Sequence, residues 1–474
     1  MSASELCFTS AVELARRIRA RELSCVEVMD AHLAQIERLN PHVNAVVTLD
    51  AEGARDAAKH ADAQLAKGKA EGLLFGLPTA VKDLVETRGM RTTYGSTLFR
   101  DYVPAQDALI VARLRAAGAI VIGKTNTPEL GAGSQTFNRV FGATCNPWNT
   151  TRTCGGSSGG AAVAAACGMV PLADGSDLAA SLRNPASFCN VVGFRPTPGR
   201  VPQWPTLDAW DTLATLGPIA RNVTDVALHL AATAGPDARV ANAWGEPGEV
   251  FAVPLEGDWR GTRVAWSRTL GGLAVAPEVT AVLDAQRTVL VDLGCEVEDV
   301  EPDFSGAAEV FQVLRAHRFA KLHGGLLERH RAEQLKATIA WNIEAGLALS
   351  ARDVARAEVE RTALFARFAA FFAQHRFLAC PTAQVAPFPL DVEYPTQIDG
   401  RRMATYIDWL GSCLYVSVIA HPAISVPAGF TEDGLPVGLQ IVGGYCRDLD
   451  VLRFAHAFER ATRHGERRAQ LASP

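Results

Sequence analysis

The chain has 474 residues, enough to bury a large core, with 46 basic and 51 acidic side chains and a formal net charge of -5 at pH 7. This near balance gives no electrostatic surface for nucleic acid or an anionic membrane, so a neutral small molecule is the expected partner. The chain begins with no signal or transit peptide pattern, and no stretch reaches the ~20 apolar residues of a membrane helix, which predicts a cytoplasmic protein.

Two helices are predicted first. Two residue pairs have the spacing of a capping box, in which a hydroxyl and a carboxylate satisfy the first amides of a helix: Ser10 with Glu13, and Ser24 with Glu27. In the second helix, apolar residues recur at helical spacing from Val26 to Ile36 and stop before Pro41. The pair is therefore interpreted as an amphipathic helical hairpin that serves as scaffold.

Short β-branched runs then alternate with alanine-rich helical patterns. In chain order these are Val46 to Leu49, Glu52 to Lys67, Thr79 to Val81, Leu109 to Ala117 and Ile120 to Ile122. Such alternation is typical of an α/β fold. The glycine-dense segment Gly155 to Gly160 leads into Ala161 to Cys167, whose small residues predict a buried helix.

The second half is predicted to be helical first and then α/β again. Residues 235–260 are rich in Gly, Pro and charge, and residues 279–374 show mostly helical patterns. Strand patterns resume at Phe377 to Cys380 and recur at Ile424 to Pro427 and Val437 to Val442.

The ten cysteines stand singly along the chain, from Cys7 to Cys446. They form no CxxC pair, and no run of His and Cys has zinc-ligand spacing. We therefore expect reduced thiols packed as small hydrophobes, and no metal.

One glycine and lysine pattern matches a nucleotide-binding loop only in spacing. Gly118, Gly123, Lys124 and Thr125 fit GxxxxGK[ST]. A phosphate cradle needs a flexible loop whose amides turn inward, whereas residues 119–122 have the apolar, β-branched character of a buried strand. We therefore reject a nucleotide site here.

A second pattern fits the nucleophile elbow of the α/β hydrolases. Gly155, Ser157 and Gly159 match GxSxG, which must lie at a sharp turn from a strand into a helix. The preceding residues 146–152 form a polar loop pattern, and no downstream histidine stands in a setting that marks it as a base. The elbow is therefore the less favoured interpretation.

Several motifs follow one another in a fixed order. They are GLPTAVKD from Gly76 to Asp83, GKTNTPELGAG from Gly123 to Gly133, and the segment Cys154 to Val201, which contains CGGSSGG, DGSDLAASLRNPA and GFRPTPGRV. Weaker matches lie near Cys380 and from Gly434 to Gly443. In these motifs the chain resembles the amidase signature family, strongly over Leu74 to Asp225 and partially before and after.

The resemblance implies one α/β domain, a large mixed sheet between helical layers. Within it, residues 1–70 form an N-terminal helical region, 74–225 the signature core, 235–376 a variable, mostly helical part of the substrate wall, and 377–474 a C-terminal α/β part. It implies no cofactor, and homodimers are common in the family.

The resemblance also implies a hydrolase that cuts carbon–nitrogen amide bonds through an acyl-enzyme intermediate. By the family's pattern Ser181 is the nucleophile, Ser157 is the bridging serine, held by a cis peptide bond with Gly156, and Lys82 is the terminal base. Three further residues are expected to support the relay and the catalytic turn, although exposed salt bridging would explain the last two equally well: Ser158, Asp177 and Arg183.

Lys82 must be neutral to accept a proton, yet an unperturbed lysine has a pKa of about 10.4. Lowering it to roughly 7.5 would correspond to about 4 kcal/mol of differential stabilisation, which requires burial. Val81 and Ala80 suit such burial, and Asp83 points to the opposite side if this segment is a strand. We therefore expect Lys82 to be desolvated.

The catalytic turn departs from the family where Gly-Gly usually precedes the nucleophile. Here Leu178, Ala179 and Ala180 precede Ser181, and the four backbone N–H groups are expected to form the oxyanion hole. If either position required positive φ, alanine would add about 1 kcal/mol of strain. Two methyl groups narrow the floor of the site, so we expect altered substrate choice with the chemistry retained.

The substrate is expected to be a small aryl, aliphatic or cyclic amide, with carbamates, urethanes and esters as further candidates and water as the second reactant. Seven aromatic residues are candidates for an apolar pocket, with core packing favoured for each: Phe188, Trp204, Trp210, Phe311, Phe319, Trp341 and Trp409. Two alternatives stay open: the glutaminase subunit of a tRNA-dependent amidotransferase, and a binding protein on a disabled hydrolase fold.

Overall fold

A computed structural model describes residues 3–330 and 334–471 of the chain. Within these ranges the α-helices are α1 (Ala3–Phe8), α2 (Ala11–Arg19), α3 (Cys25–Val43), α4 (Ala51–Ala66), α5 (Leu109–Ala116), α6 (Gly159–Ala166), α7 (Arg183–Cys189), α8 (Val223–Thr233), α9 (Pro277–Asp284), α10 (Arg287–Asp292), α11 (Ala307–Arg329), α12 (Ala337–Leu347), α13 (Ala351–Gln374), α14 (Gly411–Val418) and α15 (Asp448–Thr462).

The strands are β1 (Val46–Leu49), β2 (Pro78–Lys82), β3 (Ile120–Thr125), β4 (Phe137–Asn138), β5 (Gly142–Ala143), β6 (Leu172–Asp177), β7 (Val192–Arg195), β8 (Thr215–Ala220), β9 (Arg263–Trp266), β10 (Glu296–Asp299), β11 (Phe377–Pro381), β12 (Gln397–Ile398), β13 (Arg401–Arg402), β14 (Ala423–Phe430) and β15 (Pro436–Gly443). Eleven of them form one sheet in the order β1-β3-β2-β6-β8-β7-β14-β15-β11-β9-β10.

This sheet is mixed, as predicted, and helices pack along it. β2 lies parallel to both β3 and β6, whereas β6, β8, β7, β14 and β15 pair antiparallel in turn. Helices α6, α7, α8, α9 and α15 contact its central strands. The predicted α/β fold with one large mixed sheet between helices is confirmed.

The three parallel strands β3, β2 and β6 place the candidate site. Because the carboxyl ends of parallel strands meet at one edge of a sheet, Lys82 at the end of β2 lies close to the end of β6. Helix α6 packs against the same strands, and all eight of its residues are buried. Its small side chains allow this close approach, which confirms the prediction of a buried helix.

Three local predictions need correction. Ser24 and Glu27 form the full capping box, but at α2 only the Ser10 side chain caps the helix, because the Glu13 carboxylate accepts hydrogen bonds from Arg16 instead. Helix α3 does not stop before Pro41 but runs to Val43, since a proline in the last turn removes little of the hydrogen-bond ladder.

The predicted helical stretch 279–374 also contains a strand. β10 has the sequence EVED, and it pairs in parallel with β9 at the edge of the sheet. Charged residues are common on edge strands, where they discourage pairing with another chain, and they hide the apolar alternation that predicts a strand. The β10 strand was therefore missed in the sequence pattern.

Candidate active site

Lys82 is the centre of the candidate site. Its side chain is fully buried, and its Nζ lies 2.8 Å from Ser157 Oγ, 2.8 Å from Ser158 Oγ and 3.0 Å from Ser176 Oγ. Desolvation lowers the pKa of Lys82 to about 7, against the opposing charges of Asp174 and Asp177, which raise it. The predicted burial is present, and the amine is poised to exchange a proton near neutral pH.

Asp83 follows Lys82 but faces away from its amine, as expected for consecutive strand residues. Its carboxylate accepts hydrogen bonds from the N–H and hydroxyl of Thr93, and it is the largest of the acidic charges that raise the pKa of Lys124. Burial outweighs those charges and lowers the pKa of Lys124 to about 8. Lys124 lies within β3, where its amine donates to Val85 O and Thr87 Oγ1. Residues 120–125 thus form the buried strand that the sequence predicts, rather than a flexible loop.

Ser157 lies in the loop before α6, and its peptide bond with Gly156 is cis, as the resemblance implied. The carbonyl oxygen of Gly156 accepts a hydrogen bond of 2.5 Å from Ser134 Oγ, and that of Gly155 accepts one of 2.8 Å from Thr136 Oγ1. Gly155 has a φ of +74°, which other residues rarely adopt. Hydrogen bonds from a separate segment thus hold the hydroxyl of Ser157 toward Lys82.

Ser181 lies in the turn between β6 and α7, and 8% of its surface is exposed. Its carbonyl oxygen accepts a 3.2 Å hydrogen bond from the N–H of Ser158, which joins the turn to the serine loop. In the described residues no hydrogen bond joins the Ser157 and Ser181 hydroxyls. The serine loop contacts the turn through this backbone hydrogen bond and contacts Lys82 through the Ser157 hydroxyl, which brings Lys82, Ser157 and Ser181 into one part of the molecule.

The turn itself is held by a buried ion pair. Arg183 donates to both carboxylate oxygens of Asp177, at 3.1 and 3.0 Å, and to the carbonyl oxygen of Ala179 at 2.8 Å. Burial alone would raise the pKa of Asp177, but the charges of Arg183 and Arg195 outweigh it and hold that pKa below its ordinary value. Both partners are fully buried, so exposed salt bridging does not explain them.

Breaking this pair is expected to destabilise the protein strongly. An Arg183→Met variant leaves the Asp177 carboxylate buried with one guanidinium fewer, which we expect to cost about 3–5 kcal/mol of the free energy of unfolding. Urea unfolding followed by circular dichroism measures it. In the control Arg260→Met, which removes the exposed pair with Asp258, the unfolding midpoint should stay close to that of the wild type; equal midpoints for both variants would contradict the role of the buried pair.

Four consecutive backbone amides of the turn are available for an oxyanion. In the part of the chain described, the N–H groups of Leu178, Ala179, Ala180 and Ser181 donate no hydrogen bond, and none of these residues has positive φ. The two alanines therefore add no backbone strain. Their methyl groups are buried, in a hydrophobic cluster that also contains Phe188 and Trp409.

Matches with known proteins extend over almost the whole chain. The family model described as Amidase matches residues 27–452. The chain belongs to the amidase signature family. It is a hydrolase that acts on amide carbon–nitrogen bonds, and the match runs well beyond the segment 74–225 in which the sequence motifs are strongest.

Two curated relatives and one solved structure illustrate the similarity. An acylamidase of Rhodococcus erythropolis is 37% identical over 97% of this chain and 96% of its own length. A glutamyl-tRNA(Gln) amidotransferase subunit of Roseiflexus sp. (strain RS-1) is 36% identical over 93% and 94%. The crystal structure of a bacterial aryl acylamidase of the same family superposes with a TM-score of 0.90, at 28% identity, over 97% of both chains.

Two polar residues of this amidase site were missed in the sequence. Ser176 Oγ is a third partner of the Lys82 amine, and Asp174 Oδ1 accepts a 2.7 Å hydrogen bond from the Lys82 N–H. Both lie on β6, two residues apart and therefore on one face of the strand. The alternation along β6 predicts that these two side chains share a face. Only the pairing of β2 with β6 shows that this face of β6 lies against Lys82.

Most of the predicted aromatic candidates lie in the core of the amidase rather than on its surface. Phe188, Phe311, Phe319 and Trp409 are buried, whereas Trp341 is 43% and Trp210 is 76% exposed. Trp204 is half-buried. The rings of Phe188 and Trp409 stack with their centroids 6.4 Å apart, and both belong to the same hydrophobic cluster as Ala179 and Ala180 of the turn.

All ten cysteines of the amidase are free thiols, and eight of them are buried, which confirms their expected packing. Within residues 3–330 and 334–471 no group of three or more His, Cys, Asp or Glu side chains is arranged to hold a metal ion. No described helix is both long and apolar enough to cross a membrane.

Proposed function

We propose that this amidase hydrolyses small amides with an apolar acyl or aryl group, using Ser181 as nucleophile, Ser157 as proton carrier and Lys82 as base. The observation that carries the proposal is the fully buried Lys82 amine, 2.8 Å from Ser157 Oγ and with its pKa lowered to about 7. A lysine that is largely neutral at pH 7 can accept the proton that a serine hydroxyl must lose.

The proposed steps restore Lys82, Ser157 and Ser181 to their starting protonation states at the end of the cycle. Ser181 Oγ attacks the amide carbonyl while its proton passes to Ser157 Oγ and the Ser157 proton passes to neutral Lys82. The N–H groups from Leu178 to Ser181 stabilise the oxyanion. The relay then runs backwards to protonate the leaving amine, which leaves an ester on Ser181. Water attacks this ester by the same route and releases the acid.

A stand-alone acylamidase is favoured over an amidotransferase component by the surroundings of the turn. Leu178, Ala179 and Ala180 pack among apolar and aromatic side chains, including Trp409, so the floor of the site suits an apolar acyl or aryl group. Sequence identity does not separate the two functions, since an acylamidase and an amidotransferase subunit match nearly the whole chain at 37% and 36%. The choice therefore rests on the surroundings of the turn. We place the reaction in the cytoplasm, in one domain and without a cofactor.

The test is a measurement on the purified chain alone. We expect hydrolysis of 4-nitroacetanilide without any partner, and covalent labelling by a fluorophosphonate that peptide mass spectrometry maps to Ser181. Labelling at Ser157 or Ser158 instead would support the nucleophile elbow. Activity only on glutamine and only with added partner proteins would support the amidotransferase component, and the absence of both labelling and hydrolysis would support a disabled fold.

A further inference from the structure

Arg315 is a buried cation without an acidic partner. It lies on α11, and only 5% of its surface is exposed. One guanidinium nitrogen, Nη1, donates to Asn342 Oδ1. Across the described ranges no carboxylate forms an ion pair with it, and none contributes to its pKa, which burial lowers. A buried charge without a countercharge is costly, so an anionic ligand would gain free energy by pairing with it.

Neighbouring cations are paired, which sets Arg315 apart. Arg318, three residues further along α11, lies 2.7 Å from Asp211. Lys336 lies 2.7 Å from Glu393, and the Arg315 charge is one of the influences that lower its pKa. The surroundings of Arg315 therefore carry an excess of positive charge.

Arg315 lies beside two hydrophobic clusters that also contact the turn of the candidate active site. Its guanidinium stands 4.4 Å from the ring centroid of Phe319 and 5.2 Å from that of Tyr406. Phe319 belongs to a hydrophobic cluster with Ala132, and Tyr406 belongs to the cluster with Ala179 and Ala180. Leu178 of the catalytic turn packs against both clusters. Arg315 and Leu178 therefore both lie at the boundary between these two clusters.

The cluster that contains Phe319 also extends to the loop that contains Ser157. Ala132 follows Gly131, and a Cβ atom on Gly131 would lie 3.7 Å from Ser157 Oγ. The Phe319 cluster, defined by Ala132, Phe319, Leu326, Leu335, Ile339 and Ile343, thus connects the guanidinium of Arg315 to the edge of the serine loop. The guanidinium thus lies beside side chains that contact both the catalytic turn and the serine loop.

We propose that Arg315 binds a carboxylate carried by the substrate, so that among amides with an apolar acyl or aryl group beside the scissile bond the amidase prefers those that bear an acid group at the far end. This proposal rests on the proposed function. A guanidinium has five N–H donors, and a carboxylate accepts two of them in a planar, bidentate pair. Asn342 accepts a hydrogen bond from Nη1, and the Tyr406 hydroxyl is a second hydrogen-bond partner of the guanidinium. The remaining N–H donors are left for the ligand.

The experiment compares matched amides with and without the acid. The acyl-side substrates are the mono-4-nitroanilides of succinic and glutaric acid against the 4-nitroanilides of butyric and valeric acid. The amine-side pair is 4-acetamidobenzoate against acetanilide. In at least one of these pairs, Arg315→Met should raise KM for the acidic member by about 10- to 100-fold and leave the neutral member unchanged. Arg315→Lys should recover part of the loss.

Arg318→Met is the matched control, because it removes a guanidinium one turn away that already has an acidic partner. We expect it to leave the ratio of the two KM values as in the wild type. Equal effects of Arg315→Met on acidic and neutral substrates in every pair would overturn the proposal.

Binding without turnover separates this proposal from the proposed function. In a Ser181→Ala background, the acidic anilides should raise the melting temperature, and a further Arg315→Met change should abolish that rise. A shift that survives Arg315→Met, or no shift with any acidic ligand in the parent, would overturn the Arg315 site. If the wild type hydrolyses none of the neutral amides, the proposed function fails while this binding measurement still decides the role of Arg315.

Discussion

Replacing Ser181 by alanine is expected to lower kcat/KM for 4-nitroacetanilide by about 10⁴-fold or more, since no other group on the turn can form the acyl ester. Ser157→Ala and Lys82→Met should show losses of similar size, because each interrupts the same proton path. Residues that act as one unit are not additive, so the triple variant should be little worse than Ser181→Ala alone. Initial rates at pH 8, with the enzyme in large excess for the weak variants, measure these losses.

The control for these losses is another buried serine next to the site. Ser187 lies on α7, and its hydroxyl accepts a hydrogen bond from the N–H of Gly438. Ser187→Ala should keep kcat/KM within about tenfold of the wild type, because its hydroxyl has no part in the relay. If Ser181→Ala kept most of its activity while Ser158→Ala lost it, the nucleophile would have been assigned to the wrong serine.

Short local patterns decide those parts of the structure that the sequence predicts correctly. Val46–Leu49 was predicted and found as a strand, because its β-branched residues are bounded by turn signals. The burial of Lys82 followed from its apolar neighbours on β2, and the direction of Asp83 followed from strand alternation. The order of the motifs then indicated the family and the mixed sheet.

The features that the sequence does not predict depend on contacts between segments that lie far apart in the chain. Nothing local marks Asp174 and Ser176 as partners of Lys82, because that contact depends on the pairing of β6 with β2. Arg315 lies far along the chain from the serine loop, and the cluster that contains Phe319 and Ala132 connects the two. The burial of Asp177 and Arg183 was open in the sequence, since nothing local separates a buried pair from an exposed one. Only the packed structure shows where such polar groups lack or find partners.

The pH profile of the amidase should report the titration of Lys82. Because burial lowers the pKa of Lys82 to about 7 and only the neutral amine accepts a proton, kcat/KM should be level above that value. Below it, the rate should fall tenfold per pH unit, to about 1% of the plateau at pH 5. A series of initial rates from pH 5 to pH 9 at low substrate concentration measures this decline, which is the acid limb of the pH profile.

Asp174 provides the means to assign that limb to Lys82. Its negative charge raises the pKa of Lys82, so Asp174→Asn should lower this pKa and move the acid limb to lower pH, while the amide oxygen still accepts from the Lys82 N–H. Asp83→Asn is the matched control, because the Asp83 charge acts on Lys124 and not on Lys82. A limb that stays in place in Asp174→Asn, or moves equally in both variants, would mean that a group other than Lys82 controls the rate.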